Sequence, residues 1–437
     1  MMRAILGAAT VLWLAGCTWT VDMRSNEEDA EDDAPDSFFV EAELFHPERL
    51  ALPADAEMLV AVDAVGREGR TTLTRFSTHL EGHQVPIPLG FSVEPESDSP
   101  VLYELSAAIL SDERLLRLTG PTLVLPREGT ARMGRIHLHH PIEMGFGQGW
   151  QCDSATLMFG AVGERIFLAV DHQLHPLEPV PAASGVRYES QDDDEIGIHE
   201  KGGEVVFIRG EETLSDCHRV TALEPPLSGG GNEPGWRIEL DEERIELTSD
   251  YGETFTTASM IQTGSSAMTT RFRGMGEHGP ILAAFRRAVC RDSATGMPHP
   301  YSVEVQFEGG RLDGCGGRPR DLLVDTDWRV TRLGEQAVPE TGEDEEEIAM
   351  TIEFDAEGRV SGHAACNQYT AGYELSGEGL SIDTVAATRM ACAEPRMSLE
   401  HRFLNMLAQV QRFDIGQQGE LVLIGPDGQM TAVQRDP

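Results

Sequence analysis

Seven cysteines carry the most clearly defined covalent chemistry in this sequence of 437 residues. Cys17 ends the motif Leu14-Ala15-Gly16-Cys17, which closes an apolar run that begins after Arg3. A basic residue, a short apolar run and small residues before a cleavage point are typical of a secretory signal peptide. A cysteine at that point matches a lipobox, whose thiol receives a diacylglyceryl group. We therefore predict a signal over residues 1–17 and a lipid anchor at Cys17; the alternative is an ordinary secretory signal with a coincidental cysteine.

Removing the lipidated cysteine leaves six, and an even number in an oxidising compartment indicates disulfides. Bridges that close a loop inside one domain join sequential cysteines, and each contributes about 3–4 kcal/mol in the chain-entropy model. The predicted bridges are Cys152–Cys217, Cys290–Cys315 and Cys366–Cys392. A zinc site is the alternative, but the sequence has no CxxC pair or close Cys/His cluster to support it.

Two further pairs of residues have side chains that could react or bind a metal. Asp292 and His299 have the side chains of an acid and a base, but no nucleophile accompanies them, and a capped turn beside a disulfide is the preferred interpretation. His137 and His139 would share one strand face, but they lack a carboxylate or thiol nearby. The sequence also has no triad, phosphate loop or nucleophile elbow. We expect no enzyme activity, no cofactor and no metal site.

The composition is strongly acidic, with a net charge of −40 and Lys201 as the only lysine. Phosphates would be repelled, so nucleic acid is not an expected partner. The acidity fits either a basic protein partner or adaptation to salt. Residues 18–36 form an acidic segment that repels itself and predicts an extended spacer. No later apolar run is long enough to span a bilayer.

Residues 37–142 alternate apolar and polar residues in short runs broken by proline, glycine and aspartate, which predicts strands. The order LPADAEMLVAV, VPIPLGFSV and YELSAAI over residues 52–109 resembles the lipoprotein domains of the YbaY-like and type III secretion pilotin-like kind. The resemblance implies a β-sandwich and an accessory role in the envelope, without chemistry of its own.

Residues 148–220 hold the sharpest motif: a cysteine, then Ser184-Gly185-x-x-Tyr188, then Lys201-Gly202, then a second cysteine. This order resembles the membrane-bound inhibitors of C-type lysozyme, the MliC family, and implies a small antiparallel β-barrel. Strands of this kind are expected over residues 165–171, 186–190, 196–199 and 204–209.

The resemblance implies a chemistry for Ser184 and Lys201. A C-type lysozyme cleaves sugar chains with two carboxylates; the Ser184 hydroxyl would donate to one, and the Lys201 ammonium would bind the other. Gly185 allows a tight loop and Tyr188 packs behind it. The family has an aromatic residue where this chain has His199. The acidic insert over residues 191–195 either meets a basic lysozyme surface or is a solvated turn, and the alternative to inhibition is a barrel that has kept its fold alone.

Residues 224–235 are rich in proline and glycine, which predicts a linker. Residues 236–323 alternate as strands and contain a capped-turn motif and the run GCGG. They resemble an uncharacterised β-rich bacterial envelope domain with one disulfide, and no activity comes with that resemblance.

Residues 326–435 contain the motifs GHAACNQY and ATRMAC, and closely resemble the META domain of HslJ-like lipoproteins, an α+β fold. The resemblance implies no established reaction. Cys366 and Asn367 are therefore expected to be structural, as a disulfide partner and a turn residue. The acidic run over residues 343–347 is expected to be a loop inside this domain.

A helix and a closing hairpin are predicted near the end of this domain. Ser398 is the expected N-cap, with Glu400 in the first turn. One buried face is indicated by apolar residues at helical spacing, namely Phe403, Met406, Leu407 and Val410. The run GPDG over residues 425–428 predicts the hairpin turn.

The predicted fold class is mainly β with an α+β C-terminal domain. The predicted function is an envelope lipoprotein that inhibits C-type lysozyme and so protects peptidoglycan. Thr18 follows Cys17 in place of the aspartate of an inner-membrane retention signal, which favours the outer membrane, facing the periplasm. The alternative is a non-inhibitory envelope scaffold or stress-tolerance lipoprotein. The sequence leaves the oligomeric state open.

Overall fold

The computed structural model describes residues 37–95, 102–112, 114–152, 155–171, 173–190, 196–339, 348–377 and 379–435. The predicted signal, Cys17, the acidic spacer, the acidic insert 191–195 and the acidic run 343–347 lie outside the described residues. The protein is mainly β, as predicted, and separates into two compact units with a boundary between Glu143 and Met144. None of the helices in the described ranges is long and apolar enough to cross a membrane.

The first unit is a β-sandwich. A three-stranded sheet has the order β4-β1-β8, and a second sheet has the order β3-β2-β5-β6, with β7 paired to β5. Apolar residues at alternate positions of β1 and β2 share one core between the sheets. The strands are β1 Phe38–Phe45, β2 Glu57–Gly66, β3 Gly69–His79, β4 Ile87–Val93, β5 Leu102–Ser111, β6 Arg114–Leu118, β7 Thr122–Val124 and β8 Thr130–His137, followed by helix α1 Pro141–Met144.

An ionic cluster is built into the second of these sheets. Arg70 donates from Nη1 to Asp63 and from Nη2 to Glu104, both at 2.6 Å. The Asp63 carboxylate also accepts a 2.7 Å hydrogen bond from the Thr72 hydroxyl. The side chain of Glu104 is 1% exposed and that of Asp63 is 12% exposed, and Arg70 supplies a compensating charge to both carboxylates.

The second unit begins with a nine-stranded antiparallel sheet in the order β16-β15-β14-β13-β12-β11-β10-β9-β17. The Cys152–Cys217 disulfide joins β9 to β17, the first and last strands of this sheet along the chain, which are neighbours in the sheet. Strands β15 and β17 also approach each other, so the sheet is barrel-like. The strands are β9 Gln148–Cys152, β10 Ala155–Val162, β11 Arg165–Val170, β12 Gln173–Val180, β13 Val186–Ser190, β14 Ile196–Lys201, β15 Glu204–Arg209, β16 Glu212–Leu214 and β17 Cys217–Arg219.

The next eight strands form a closed barrel in which β18 pairs with β25. The linker predicted over residues 224–235 is therefore wrong in its central part, because Leu227–Asn232 is the first barrel strand. A Cβ on Gly231 would overlap the Trp236 indole, so this strand needs glycine for close packing and not for a turn. The strands are β18 Leu227–Asn232, β19 Gly235–Leu240, β20 Arg244–Ser249, β21 Thr254–Ser265, β22 Thr269–Gly276, β23 Gly279–Arg291, β24 Pro298–Phe307 and β25 Gly310–Gly316, with single 3-10 turns at Asp250–Gly252 and Pro319–Leu322.

The C-terminal module combines one helix with a sheet in the order β31-β30-β29-β28-β26-β35-β34-β33. The two-residue turn Pro426-Asp427 joins β34 to β35, as predicted. The elements are β26 Asp327–Leu333, β27 Gln336–Ala337, β28 Thr351–Phe354, β29 Arg359–His363, β30 Gln368–Ser376, β31 Gly379–Ile382, β32 Ala386–Ala387, α2 Arg396–Leu407, β33 Arg412–Ile415, β34 Leu421–Gly425 and β35 Gly428–Gln434.

The predicted start of helix α2 is wrong. The helix begins at Arg396, and the Ser398 hydroxyl lies inside it, donating to the Pro395 carbonyl at 2.8 Å. Glu400 is buried and accepts a 2.8 Å hydrogen bond from the backbone N–H of Asn367. The buried helix face does contain Phe403 and Leu407, with Met406 partly buried beside them, whereas Val410 is buried beyond the end of the helix.

The three predicted disulfides are confirmed: Cys152–Cys217, Cys290–Cys315 and Cys366–Cys392. Asn367, next to the last of these, is 1% exposed. Its side-chain oxygen accepts from the N–H of Met390 and the hydroxyl of Thr388, each at 2.7 Å. Asn367 is therefore structural, as expected, and it fixes the segment that carries Cys392.

Candidate functional site

The loop before β13 holds two of the predicted site residues. Residues 181–186 are exposed, and the four expected strands of this module are present at β11, β13, β14 and β15. Gly185 has a φ of +74°, a left-handed conformation that a side chain rarely adopts. A Cβ at Gly185 would overlap the Glu200 carbonyl oxygen and would lie 3.0 Å from the Cβ of Lys201. Glycine is therefore required here for both conformation and space.

This close approach brings Ser184 and Lys201 to the same end of the β13–β14 pair. Val186 lies opposite Glu200 in the register, so the two residues before Val186 lie beside the end of β14, where Lys201 is the last residue. Both Ser184 and Lys201 are exposed. A residue with an exposed hydroxyl and one with an exposed ammonium are thus at the same end of the β13–β14 pair, next to the turn formed by Gly202 and Gly203.

His199 holds this loop in place, a role that sequence reasoning missed. Its Nε2 donates to the backbone carbonyl oxygen of Ser184 at 2.8 Å. The sequence marked His199 only as a departure from the family pattern, and its contact depends on a pairing between β13 and β14 that no local signal reports.

Tyr188 packs behind the loop, as expected. Its ring centroid is 5.4 Å from that of Phe159, and it contacts the core of the module. Val186, on the same face of β13, is 49% exposed. The loop is therefore followed by a strand whose Tyr188 packs against Phe159, and the exposed apolar side chain of Val186 lies two residues after Ser184.

The charges around Lys201 leave its ammonium available. Within the described residues, Lys201 forms no ion pair, although Glu204 lies opposite it across the turn and Glu200 precedes it. Both glutamates are exposed. Exposed carboxylates are well solvated and bind a neighbouring lysine only weakly, so a partner's carboxylate can compete for Lys201.

Asp292 caps the turn that was expected beside the Cys290–Cys315 disulfide, and His299 lies outside that turn, on strand β24. Burial raises the pKa of Asp292, but hydrogen bonds from the Asn232 amide and from the N–H and hydroxyl groups of Thr295 outweigh it and lower the pKa below its usual value. The N–H of Ala294 adds another at 3.0 Å. His299 donates from Nδ1 to the Gly317 carbonyl at 2.9 Å.

The rings of His137 and His139 have centroids 4.0 Å apart at the end of β8. The residues that the structure describes contain no group of three or more histidine, cysteine or acidic side chains arranged to hold a metal ion.

Comparison with protein families matches both ends of the described chain. Residues 321–437 match the META domain, and residues 37–131 match the type III secretion system lipoprotein chaperone YscW. These two matches indicate a bacterial envelope lipoprotein. The matched ranges do not include residues 148–220, so the resemblance to lysozyme inhibitors stays a prediction, as does the YbaY-like part of the first resemblance.

Two solved structures share limited similarity with the chain. An alternative pilotin from the type II secretion system of Vibrio cholerae is 22% identical, over 24% of this chain and 98% of that one, with a TM-score of 0.21. A protein from Burkholderia xenovorans, solved by NMR, is 25% identical, over 27% of this chain and 86% of that one, with a TM-score of 0.23. Scores this low do not establish a shared fold. No curated protein matches the chain.

Proposed function

We propose that the chain is a lipid-anchored protein that inhibits C-type lysozymes through Ser184 and Lys201. The observation that supports this most directly is the packing of Gly185 against Lys201, because it brings the exposed residues Ser184 and Lys201 to one end of the β13–β14 pair, where Lys201 has no ion pair among the described residues. The sequence resemblance of residues 148–220 to lysozyme inhibitors supports the same assignment.

The chemistry fits a cleft that contains two carboxylates. A C-type lysozyme keeps one carboxyl protonated as the acid and one ionised. The Ser184 hydroxyl can donate to the first or accept from it, and the Lys201 ammonium forms a charge-assisted hydrogen bond with the second. A loop that occupies both carboxylates excludes the sugar chain without being cleaved, because it offers no glycosidic bond.

The overall charge favours the encounter. The chain carries a net charge of −40 and C-type lysozymes are basic, so long-range attraction accelerates association. Because such steering acts between exposed charges, the association rate is expected to fall as salt is raised, while the dissociation rate changes less.

The test uses the full chain purified in detergent. Turnover of a cell-wall suspension by a C-type lysozyme is measured with the wild-type chain and with Ser184→Ala and Lys201→Ala. Each substitution is expected to weaken inhibition about tenfold or more, since a hydrogen bond to a charged group contributes about 1.5–3 kcal/mol.

Two matched controls lie elsewhere on the same module. Ser215→Ala and Arg219→Ala remove an exposed hydroxyl and an exposed cation and are expected to inhibit like the wild type. Full lysozyme activity at saturating wild-type chain rules out the inhibitor function. Equal inhibition by all the variants keeps inhibition but rejects the assignment of Ser184 and Lys201.

The proposed location is the outer membrane, facing the periplasm, with the chain held through acylated Cys17. Labelling with radioactive palmitate and membrane fractionation test this directly. The wild type is expected to carry label and sediment with outer membranes. A Cys17→Ala variant is expected to carry none, and label on that variant would contradict the anchor.

A second candidate is an envelope accessory protein without inhibitory activity, which the match to a secretion lipoprotein chaperone favours. The two functions can be distinguished by complementing a bacterial strain that lacks the protein and shows an envelope defect. Complementation by the Lys201→Ala variant as well as by the wild type favours the accessory role, whereas loss of lysozyme resistance with that variant alone favours inhibition.

A further inference from the structure

A cleft of about 560 Å³ opens between the closed barrel and the C-terminal module. This volume falls in the range of about 300–1,000 Å³ that is usual for small-molecule sites, which often lie between domains. Its barrel side includes Asp292 and His299, its far side is the β30–β31 hairpin around Leu375, and Arg318 and Arg320 lie on the segment that joins the two modules. Neither the resemblances nor the proposed inhibition accounts for it.

The walls of the cleft are held rigidly. Arg291, at the end of β23, forms an ion pair with Asp414 of β33, with Nη2 and Oδ1 2.9 Å apart, and also donates to the Ile415 carbonyl at 2.8 Å. Met297 of the barrel is buried in the core of the C-terminal module. The Cys290–Cys315 disulfide fixes the base of the turn at Asp292. A cleft whose walls are cross-linked in this way needs little ordering when it binds a ligand.

The polar groups of the cleft favour an anion. Arg320 donates from Nη1 to the Ala356 carbonyl at 3.0 Å and has no carboxylate partner among the described residues. Asp321 engages Arg318 through two atoms, Nε at 3.2 Å and Nη2 at 2.9 Å, so among the described residues only the Nη1 of Arg318 is left for a ligand. The ionised carboxylate of Asp292 also lines the cleft, and hydrogen bonds from its own turn and from Asn232 offset part of its negative charge.

His299 can orient a bound ligand in the cleft. Its Nδ1 donates to the Gly317 carbonyl, so in the neutral ring the Nε2 is an acceptor. A ligand hydroxyl can donate to Nε2 while an acidic group meets the arginines. Met297 and Leu375 supply apolar surface between these polar groups.

We infer that this cleft binds a small organic oxyanion, whose carboxylate or phosphate is held mainly by Arg320, with the remaining Nη1 of Arg318 as a second donor. A guanidinium fork matches the geometry of both groups. The net charge of −40 repels extended polyanions, so the ligand is a small molecule and not a nucleic acid. This inference is independent of the proposed lysozyme inhibition.

The test measures weak binding by ligand-observed NMR on the full chain in detergent. Inorganic phosphate is followed by the width of its ³¹P signal, and acetate by the relaxation of its methyl protons, with acetamide as the uncharged probe. At least one of the two anions is expected to bind with a dissociation constant on the order of millimolar, as small fragments do, and acetamide is not. Phosphate alone or acetate alone identifies the acidic group that the cleft prefers.

Variants assign the binding to the cleft. Arg320→Gln and Arg318→Gln are expected to weaken anion binding about tenfold, and Arg320→Lys is expected to restore part of it because the charge remains. Arg237→Gln, on an exposed barrel strand, is the matched control and is expected to bind like the wild type. Melting curves check that each variant is folded. No anion binding at 20 mM in the wild type, or unchanged binding in both folded cleft variants, overturns the inference.

Discussion

The Nε2 of His199 lies 2.8 Å from the backbone carbonyl oxygen of Ser184, so a side chain of β14 holds the loop that precedes β13. The contact joins neighbouring strands at the end where Lys201 is exposed. It orients the Ser184 backbone without using the Ser184 hydroxyl, which stays available to a partner.

Substitution of His199 tests this restraint. His199→Ala removes a hydrogen bond whose net contribution is about 1 kcal/mol, and faster amide hydrogen exchange is expected at residues 184–186, with about fivefold weaker inhibition. His199→Gln retains an N–H donor and is expected to recover part of the protection. His218→Ala, an exposed histidine of the same module, is the control. Unchanged exchange in His199→Ala would show that the loop does not depend on this bond.

Two glycines near Lys201 allow the effect of backbone strain to be distinguished from the effect of steric overlap by an added Cβ. Gly185 and Gly202 have φ values of +74° and +64°, but only at Gly185 would a Cβ meet other atoms within 4 Å. Gly202→Ala is expected to cost about 1 kcal/mol, from backbone strain alone. Gly185→Ala is expected to cost more than about 2 kcal/mol and to displace the loop, which calorimetric melting and hydrogen exchange can measure. Equal losses would mean that the loop relaxes around the added methyl group.

The candidate site was predictable only in its local parts. The strands of this module and the tight loop at Gly185 were expected from the resemblance to lysozyme inhibitors, which rests on local motifs. The restraint by His199 was not predictable, because it depends on which residue of β14 faces the loop. The cleft at Arg320 was likewise not predictable, since its sides come from two modules.

In the first unit, stability is expected to depend on Arg70. Arg70→Met leaves the carboxylates of Asp63 and Glu104 without their positive partner, and the loss is expected to be about 3 kcal/mol, the low end for buried pairs, because the Arg70 side chain is 37% exposed. Arg75→Met, on the exposed face of the same strand, is expected to be neutral. Thermal unfolding compares the two variants. A loss below about 0.5 kcal/mol for Arg70→Met would mean that water reaches both carboxylates.

The turn at Asp292 predicts a pH dependence. Its pKa is lowered in the folded state, because hydrogen bonds from Asn232 and Thr295 outweigh burial. The stabilisation by the ionised form is therefore complete above the unfolded value of about 3.9 and is lost as the pH falls through the lower folded pKa. The melting temperatures of the wild type and of Asp292→Asn are expected to differ at pH 6 and to converge towards pH 2. A difference that is constant over this range would contradict the prediction.

Two errors of sequence interpretation have clear physical reasons. The glycines of β18 were interpreted as turn formers, but they allow the strand to pack against Trp236. Ser398 was interpreted as a helix cap, but the helix begins at Arg396, directly after Pro395, and Glu400 is buried where it accepts a hydrogen bond from Asn367. The first correction depends on packing within the β18–β19 hairpin and the second on a contact between residues 33 apart, whereas the disulfides follow from domain order and were predicted correctly.

The pairing of β18 with β25 affects how the barrel is connected to its neighbours. Gly229 lies opposite Gly316 in this antiparallel pair, so the chain enters and leaves the barrel at the same end, at strand points about 5 Å apart. An eight-stranded barrel connected in this way has adjacent chain ends, so if it were removed, a few residues could rejoin the two flanking segments. Rejoining the ends would restore the covalent chain, but the C-terminal module would lose Met297 from its core and the ion pair between Arg291 and Asp414.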